Sequence, residues 1–429
     1  MSTIHCNING QDVACESGVT VLEAARSAGI DIPSLCYFKE LNQIGACRIC
    51  VVEIEGMPRL MTACTTPVKD GMVIHTESEK VTVSRKRSLD LICKRHRVDC
   101  EYCPNYSFCE LHAVLRQLDM DDRPYSRIYH ERKADESSRC VIRDNSKCIR
   151  CRRCVATCKK QGVEAIGALY RAEATAIGAL LPMAETNCIG CGQCVKHCPT
   201  GALFVRDDTD ELWRAQNQGK KIVFGIMPET AENIGRFFYE SEEKNQLDRL
   251  TAVCKKADAY EVFDLTGLKE IALSRLAVEA ERRMARGEKP ISVSFCPAEK
   301  KRGKQPGEVL FGAGPEEIFC ELASARYAQQ GIPREEIFLV YVSACTAAKC
   351  CPTSDAVLTT TELFQWIQRA CVSRFTAADV WSKTAGAAPV KLIDEPKGGF
   401  NEAAVTAVFA CPDGCRNGGG QFRTNGAWK

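Results

Sequence analysis

Two cysteine runs near the middle of the chain, CIRCRRCVATC at residues 148–158 and CIGCGQCVKHCP at residues 188–199, decide how this sequence folds. Both runs have the spacing C-x2-C-x2-C-x3-C, and the second begins 40 residues after the first. Thiolates are soft, anionic ligands, so quartets of this kind bind iron–sulfur clusters or zinc. Two matched quartets at this spacing favour iron–sulfur clusters over a pair of zinc knuckles.

The paired runs resemble those of bacterial ferredoxins with two [4Fe–4S] clusters, although Lys159 stands where a ferredoxin usually has proline. In such proteins three cysteines of a run bind one cluster and the fourth binds the other. The resemblance implies a ferredoxin domain over residues 139–209 and two crossed ligand sets. These are Cys148, Cys151, Cys154 and Cys198 for one cluster, and Cys158, Cys188, Cys191 and Cys194 for its neighbour.

Length and composition limit what the chain can do. Its 429 residues suggest about three domains, and a net charge of +2 favours neither nucleic acid nor an anionic membrane as a partner. No apolar run approaches the roughly 20 residues that span a bilayer. Residues 1–30 carry no secretory signal, and the 28 cysteines are grouped at cluster spacings. We therefore expect a cytoplasmic protein rather than a disulfide-rich secreted one.

A third cysteine quartet lies near the N-terminus and has the spacing C-x10-C-x2-C-x13-C. Before it, alternating apolar residues around Asn9-Gly10 predict a hairpin, and residues 19–28 predict an amphipathic helix. The quartet and the segment GACRIC at 45–50 resemble the β-grasp plant-type domain of complex I large subunits and many iron-only hydrogenases. The resemblance implies a [2Fe–2S] domain over residues 1–78. Its ligands would be Cys36, Cys47, Cys50 and Cys64.

One histidine precedes three further cysteines with the spacing H-x3-C-x2-C-x5-C. This pattern resembles the domain of the same two families in which one histidine and three cysteines hold a [4Fe–4S] cluster. The resemblance implies a helical domain over residues 79–118, followed by a surface linker of mixed charge. Because neutral imidazole carries one negative charge fewer than a thiolate, we expect a raised reduction potential. The ligands would be His96, Cys100, Cys103 and Cys109.

Residues 219–429 predict a different architecture. Short apolar runs alternate with longer helical stretches, which indicates a parallel sheet covered on both faces by helices. The chain as a whole is therefore expected to be an α+β multidomain protein. The predicted strands are Lys221–Met227, Ala259–Asp264, Ile291–Phe295 and Ile337–Val342, and the predicted helices are Ala231–Phe238, Leu265–Arg286, Ala313–Gln330 and Thr360–Arg369.

Four cysteines of this C-terminal region follow strands or lie in a glycine-rich loop. They are Cys296, Cys345, Cys411 and Cys415. Their surroundings, FCP at 295–297, SACTAAK at 343–349 and ACPDGCRNGGGQ at 410–421, resemble the three signature loops of [FeFe]-hydrogenases. The resemblance implies an α/β hydrogenase-like domain in which these four cysteines hold a [4Fe–4S] cluster.

The same resemblance implies losses. Phe295 stands where the family has a proton-relaying thiol, and a phenyl ring cannot exchange a proton. Ser343 replaces a methionine, and Ala348 replaces the lysine that contacts the diiron unit, unless Lys349 takes that place through a one-residue shift. We therefore expect a degenerate, truncated domain that has lost hydrogen chemistry but still carries electrons.

The sequence thus predicts one [2Fe–2S] and four [4Fe–4S] clusters. It has no flavin or dinucleotide fingerprint, so FMN, FAD and NAD(P) are expected on partner subunits. The layout resembles the hydrogenase-like subunit of Stn-type electron-bifurcating transhydrogenases. The resemblance implies four partners: an FMN- and NADH-binding HydB-like subunit, a small [2Fe–2S] HydC-like subunit, an NADPH- and FAD-binding subunit, and ferredoxin.

Other functions are compatible with this layout. One is an electron-transfer subunit of an NAD-linked or bifurcating formate dehydrogenase, with a molybdenum or tungsten partner. A hydrogenase-derived redox sensor is disfavoured because no appended signalling stretch is visible, and a residual active hydrogenase is disfavoured by Phe295.

Some cysteines lie outside the predicted ligand sets. Small thiols of this kind are usually packed as apolar residues. These cysteines are Cys6, Cys15, Cys93, Cys140, Cys254, Cys320, Cys350, Cys351 and Cys371. We expect Cys6 and Cys15 to be small core residues or free thiols and the others to be reduced and partly buried, although Cys350 and Cys351 could instead touch a cluster.

Overall fold

The computed structural model of the chain describes residues 2–103, 105–120, 133–237, 246–288, 292–303, 309–371, 390–391, 407 and 409–411. These residues form two five-stranded sheets and three two-stranded ladders, together with helices. The mixture confirms the predicted α+β class, while the domain boundaries remain predictions.

The N-terminal sheet contains β1 (Thr3–Ile8), β2 (Gln11–Glu16), β3 (Val51–Ile54), β4 (Met61–Thr62) and β5 (Met72–His75), and helix α1 (Val21–Ser27) shares its core. Its strand order is β2-β1-β5-β3-β4, with β1 antiparallel to β2 and parallel to β5. The predicted hairpin is present, since Asn9 and Gly10 both have the positive φ that its tight turn requires. Thr20 begins α1 by accepting a hydrogen bond from the backbone N–H of Glu23.

The next region contains two helices, α2 (Glu79–Cys93) and α3 (Glu110–Gln117). Arg85 on α2 is 5% exposed and donates to the carbonyl of Val51 at 2.9 Å, which ties α2 to the N-terminal sheet. Between the helices, the described residues form only one-turn 3-10 segments at Cys100–Tyr102 and Tyr106–Phe108. The predicted ligands of this region therefore lie in loops that the helices support.

The two cysteine runs adopt matching backbones. This region contains β6 (Val141–Arg143), α4 (Arg153–Lys160), β7 (Gly167–Leu169), β8 (Ala176–Gly178), α5 (Gln193–Lys196) and β9 (Leu203–Val205). Strand β6 pairs antiparallel with β9, and β7 with β8. Arg150 and Arg152 in the first run have positive φ, as do Gly190 and Gly192 in the second. Since these positions are equivalent in the two runs, the sequence repeat is also a structural repeat.

The C-terminal region is built on a parallel sheet, as predicted. Its strands are β10 (Lys221–Ile226), β11 (Glu261–Asp264), β14 (Ile337–Val342), β15 (Ala356–Leu358) and β16 (Val390–Lys391), in the order β15-β14-β10-β11-β16. Strand β12 (Ser292–Ser294) was expected in this sheet, but it pairs instead with β13 (Val309–Phe311). The helices are α6 (Thr209–Asn217), α7 (Pro228–Phe237), α8 (Gln246–Lys256), α9 (Leu268–Ala285), α10 (Pro297–Arg302), α11 (Pro315–Gln329) and α12 (Thr360–Cys371).

Strand β10 divides the C-terminal core into two apolar layers. Ile222, Phe224 and Ile226 pack into one layer with Trp366 of α12. Val223 and Met227 pack into the other layer with Phe319 of α11. Alternate side chains of a strand point to opposite faces, so a strand buried on both faces is apolar throughout. Helix α6, which lies between the predicted domains, contributes to the first layer.

We predict that Gly225→Ala destabilises the C-terminal region. A Cβ at Gly225 would lie 2.7 Å from a ring carbon of Phe319, so the aromatic ring must move. Overpacking of this kind costs about 1–3 kcal/mol. Denaturant unfolding of the cluster-loaded protein, followed by circular dichroism, measures the change.

Gly167→Ala is the matched control, because a Cβ there meets no atom within 4 Å. Its free energy of unfolding should change by no more than about 0.5 kcal/mol. Equal effects of the two substitutions would contradict the packing of β10 against α11.

Candidate iron–sulfur centres

The N-terminal quartet is brought together at the edge of the first sheet. Three of its cysteines are almost completely buried, and the backbone N–H of Cys47 donates to the Cys36 sulfur at 3.5 Å. Hydrogen bonds from the Cys47 and Cys64 thiols lower the pKa of Cys36 to about 2. The Cys64 thiol also hydrogen-bonds the Cys50 sulfur and lowers the pKa of Cys50. The sulfurs are therefore within reach of one another, as ligands of one small cluster must be.

The histidine of the next predicted ligand set is buried. His96 is 7% exposed, and its Nδ1 has no hydrogen-bond partner in the described part of the chain. Burial lowers the pKa of His96 to about 4, so the ring is neutral at pH 7. A neutral imidazole with a free nitrogen is the form that binds a metal. An orphaned buried nitrogen therefore fits the predicted role of His96.

The remaining ligands of this set lie against the ferredoxin-like region. Burial raises the pKa of the Cys100 thiol, and the nearby Cys103 thiol raises it further. The Cys103 sulfur lies 2.6 Å from where a Cβ on Gly201 would be. Only a glycine at position 201 leaves room for that sulfur. Burial also raises the pKa of Cys109 to about 11.

The four cysteines of the first crossed set lie around one cavity. This small cavity is lined by Cys148, Cys151, Cys154 and Cys198. Arg143 lines it too, is 3% exposed, and donates to the Cys148 sulfur at 3.8 Å. Its Nε and Nη1 have no partner among the described residues. A buried cation with unused donors suits the negative charge of a thiolate-bound cluster.

The second crossed set shares an apolar cluster with the C-terminal cysteines. Cys158, Cys188 and Cys191 pack in that cluster with Cys296 and Cys345. Two sulfurs of the second crossed set accept hydrogen bonds from the backbone. The N–H of Ala165 donates to the Cys158 sulfur at 3.2 Å, and the N–H of Gly190 donates to the Cys188 sulfur at 3.5 Å. Such N–H···S contacts are among the groups that tune cluster potentials.

Cys194 and Cys411 also lie where the second crossed set meets the C-terminal cysteines. Burial raises the pKa of Cys194 most, and the thiols of Cys191, Cys188 and Cys158 are among the neighbours that raise it further. The side-chain amide of Gln193 donates to the Cys411 sulfur at 3.4 Å. Cys411 therefore lies beside the second run. Cys415, the fourth predicted ligand of the C-terminal cluster, lies outside the described residues.

Two C-terminal ligands are positioned in the same way. Cys296 follows β12, and its backbone N–H donates to the Ser294 hydroxyl at 3.0 Å. Cys345 follows β14, and its N–H donates to the Ser343 hydroxyl at 3.2 Å. Each serine thus holds the turn that presents a cysteine at the end of a parallel strand, where ligand sites of such sheets lie.

Next to these cysteines is a cavity of about 320 Å³. The three positions where the sequence departs from [FeFe]-hydrogenases all line it, namely Phe295, Ser343 and Ala348. Phe295 also makes an edge-to-face contact with Phe409, with ring centroids 5.4 Å apart. The wall of the cavity at these positions is therefore apolar or neutral, without a thiol or an ammonium group.

Lys349 does not take the place of the missing lysine. It is 2% exposed, and its Nζ donates to Asp208 at 2.6 Å and Glu362 at 2.8 Å. A third bond goes to the carbonyl of Val357 at 2.6 Å. These bonds use the three donors of the ammonium group in a structural network. The one-residue shift considered from the sequence is therefore absent.

Polar contacts between regions, which sequence reasoning missed, hold the cluster loops in place. The Asn42 side chain donates to the carbonyls of Cys36 at 2.7 Å and Cys151 at 3.0 Å, so one amide bridges two predicted clusters. The Phe38 and His197 rings pack edge to face with centroids 4.8 Å apart. Contacts of this kind have no spacing signature in a sequence.

The expectation for two of the remaining cysteines is wrong. Cys140 and Cys350 were expected to be reduced thiols, but the structure joins them in a disulfide across 210 residues. No local motif in the sequence could have paired residues so far apart. Cys351 is free and exposed.

Two further features concern metals and membranes. Among the described residues, no three His, Cys, Asp or Glu side chains converge as ligands of a single metal ion. The ligands of a cluster surround an iron–sulfide core rather than one ion. None of the described helices is long and apolar enough to cross a membrane.

Comparison with known families identifies the regions. Residues 1–79 match the 2Fe-2S iron-sulfur cluster binding domain, and residues 141–205 match the 4Fe-4S dicluster domain. Residues 220–389 match the iron only hydrogenase large subunit, C-terminal domain. The chain therefore carries a 2Fe–2S domain, a 4Fe–4S dicluster domain and a C-terminal region that matches iron-only hydrogenase large subunits. It is therefore an oxidoreductase subunit with 2Fe–2S, 4Fe–4S and hydrogenase-like domains.

Individual proteins are similar to most or to part of the chain. The chain is 29% identical over 456 aligned positions to the NADP-reducing hydrogenase subunit HndD of Solidesulfovibrio fructosivorans, covering 96% of this chain and 77% of that protein. It is 38% identical over 202 positions to the NADPH-Fe(3+) oxidoreductase subunit alpha of Geobacter sulfurreducens, covering 47% of this chain but only 24% of the relative. A solved NAD+-reducing [NiFe]-hydrogenase chain is 28% identical, with a TM-score of 0.46 over 48% of this chain and 88% of that chain.

The crossed ligand sets predict which pairs of substitutions remove the same cluster signal from the electron paramagnetic resonance spectrum. Cys198→Ala and Cys151→Ala should remove the same [4Fe–4S] component, and Cys158→Ala and Cys191→Ala should remove the other. Electron paramagnetic resonance of the reduced holoprotein, with iron analysis, checks this grouping. Cys6→Ala, outside both sets, is the control and should lose neither. The crossing is refuted if Cys198→Ala removes the component that Cys191→Ala removes.

His96→Cys should lower the potential of one cluster. The substitution adds one negative charge to the ligand set, and a shift on the order of 100 mV is expected. A redox titration followed by electron paramagnetic resonance measures it. His112→Gln, outside the ligand pattern, should leave every potential unchanged. A His96→Cys protein with unaltered potentials would mean that His96 is not a ligand.

Proposed function

We propose that the chain is the iron–sulfur electron-transfer subunit of a flavin-based, electron-bifurcating NAD/NADP/ferredoxin transhydrogenase. What supports this most is the apolar cluster in which Cys158, Cys188 and Cys191 meet Cys296 and Cys345. Two predicted cluster sites, one ferredoxin-like and one hydrogenase-like, thus adjoin each other. Low-potential clusters at such spacing supply one-electron transfer.

The residues of the chain serve this task by holding ligands and excluding water. The sulfurs of the first crossed set are buried among apolar side chains, and Arg143 supplies the compensating charge. In the second set, backbone N–H groups donate to sulfur, and Gln193 donates to the Cys411 sulfur. Asn42 ties the loop of Cys36 to that of Cys151 in the first set. Fixed donors in a dry site need no rearrangement when charge changes, which favours fast transfer.

The loss of three family side chains beside Cys345 argues against hydrogen chemistry, although other titratable side chains, among them Lys300, Lys301 and Glu316, line the same cavity. Proton delivery needs a titratable group within hydrogen-bond reach of the reacting atom. At the three positions where the hydrogenase family carries its functional side chains, the cavity is lined by Phe295, Ser343 and Ala348. The nearest lysine in sequence, Lys349, is held by Asp208 and Glu362. Electrons therefore enter and leave this domain without producing hydrogen.

The proposal assigns nucleotide chemistry to partner subunits. These are an FMN- and NADH-binding HydB-like subunit, a small [2Fe–2S] HydC-like subunit and an NADPH- and FAD-binding subunit, with ferredoxin as the low-potential carrier. The names of two relatives, an NADP-reducing hydrogenase subunit and an NADPH-Fe(3+) oxidoreductase subunit, support a link to NADP. The proposed cofactors of this chain are one [2Fe–2S] and four [4Fe–4S] clusters.

The test is to purify the chain anaerobically with its native partners and assay electron transfer. Reduced ferredoxin together with NADH should reduce NADP without hydrogen evolution. Cys296→Ala should abolish this activity because it removes a proposed ligand. Cys254→Ala, a buried cysteine in the core of the same region, should retain it. Steady hydrogen evolution would refute the proposal, and co-purification with a molybdopterin enzyme would replace it with a formate dehydrogenase.

A further inference from the structure

The Cys140–Cys350 disulfide joins two parts of the chain that the proposed function requires to lie together. Cys140 immediately precedes β6 of the ferredoxin-like region, and Cys350 ends the short helical segment that follows Cys345. The cross-link therefore connects the paired cysteine runs to the hydrogenase-like region. Neither cysteine belongs to a predicted ligand set.

The disulfide lies against a cluster loop. A Cβ placed on Gly190 would overlap the sulfurs of both Cys140 and Cys350. Gly190 lies between Cys188 and Cys191, two ligands of the second crossed set. The pair is thus in contact with the backbone that shapes a predicted cluster site. Whether the two sulfurs are bonded bears directly on how firmly that loop is held.

The two sulfurs differ in access. Cys140 is 1% exposed, whereas Cys350 is half-buried and lines the cavity of about 320 Å³. Cys351, next to it, is exposed and lines the same cavity. An attacking thiolate approaches a disulfide sulfur directly, so only the Cys350 side is open to attack. This asymmetry is what an exchangeable disulfide needs.

Disulfides in a reducing compartment are mostly transient, catalytic or redox-sensing rather than structural. We propose that Cys140 and Cys350 form a reversible redox pair that exchanges with a cellular thiol–disulfide couple of the glutathione class. A thiolate attacks Cys350, forms a mixed disulfide and releases Cys140 as a thiolate, which takes up a proton. A second thiol then displaces Cys350. In total, two external thiols become one disulfide, and Cys140 and Cys350 become two thiols.

The consequence is a clasp between the ferredoxin-like and hydrogenase-like regions. With the bond formed, Cys140, which lies against Gly190, is covalently joined to Cys350 in the loop after Cys345; with the bond broken, only packing holds these loops together. A cross-link that closes a loop this long restricts the unfolded chain strongly. That the clasp affects electron flow rests on the proposed function, but the exchange chemistry does not.

The test uses the full chain with its clusters, equilibrated anaerobically in buffers from fully reduced to fully oxidised glutathione. Samples are quenched with N-ethylmaleimide in denaturant, and peptides are read by mass spectrometry. Cys140 and Cys350 should be fully labelled in reduced glutathione and lose the label together, across one transition, as the buffer becomes oxidised. Label on both cysteines at every ratio, or on neither at any ratio, would overturn the proposal.

Variants separate the pair from its neighbours. Cys140→Ser should leave Cys350 open to label or glutathionylation at every ratio, with unchanged iron content. Cys351→Ser should preserve the joint transition of Cys140 and Cys350. Loss of that transition in Cys351→Ser would mean that Cys351, and not Cys140, is the partner of Cys350.

The same samples distinguish this inference from the proposed function. Iron content and electron transfer to ferredoxin are measured alongside the labelling. If electrons reach ferredoxin but the labelling of Cys140 and Cys350 is the same at every glutathione ratio, the clasp is refuted and the proposed function stands. A joint thiol transition without transfer to ferredoxin would refute the proposed function and leave the exchange chemistry standing.

Discussion

The guanidinium of Arg153 lies where three cluster-binding regions meet, and their relative placement depends on it. It is 3% exposed, donates to the carboxylate of Glu110 at 2.7 Å and to the carbonyl of Tyr37 at 2.9 Å, and lies over the Phe38 ring. A buried charge is tolerated only when paired and hydrogen-bonded, so these partners cannot move apart cheaply. Arg153 also directly precedes Cys154, a proposed ligand. Any shift between the regions therefore strains a cluster site.

The cluster loops themselves have little regular structure, which makes iron part of the fold. Burial raises the pKa of the Cys154 and Cys191 thiols to about 12, so both are protonated at neutral pH without iron. Iron binding must release these protons, and the free energy of binding then becomes free energy of folding. Packing contacts such as those of Asn42 and Arg153 fix the loops into which the clusters fit.

The sequence allowed most of the proposed ligand sets to be assigned, because a cluster needs thiolates at short, fixed spacings that a single strand or loop can supply. It also predicted the Asn9-Gly10 turn and the parallel C-terminal sheet from local patterns. It could not predict the contacts of Arg153 and Asn42, which join residues more than 100 positions apart. The pairing of β12 with β13, the burial of Lys349 and the Cys140–Cys350 bond depend likewise on tertiary packing.

We propose that an electron path continues from the paired cysteine runs into a domain whose cavity lacks three side chains that the hydrogenase family carries. A cryo-electron microscopy map of the cluster-loaded chain with its partners tests this most directly. The account requires a four-iron density held by Cys296, Cys345 and Cys411 beside that of the second crossed set. It also requires no two-iron density in the neighbouring cavity. A diiron group beside Phe295, or no iron at Cys296, would contradict it.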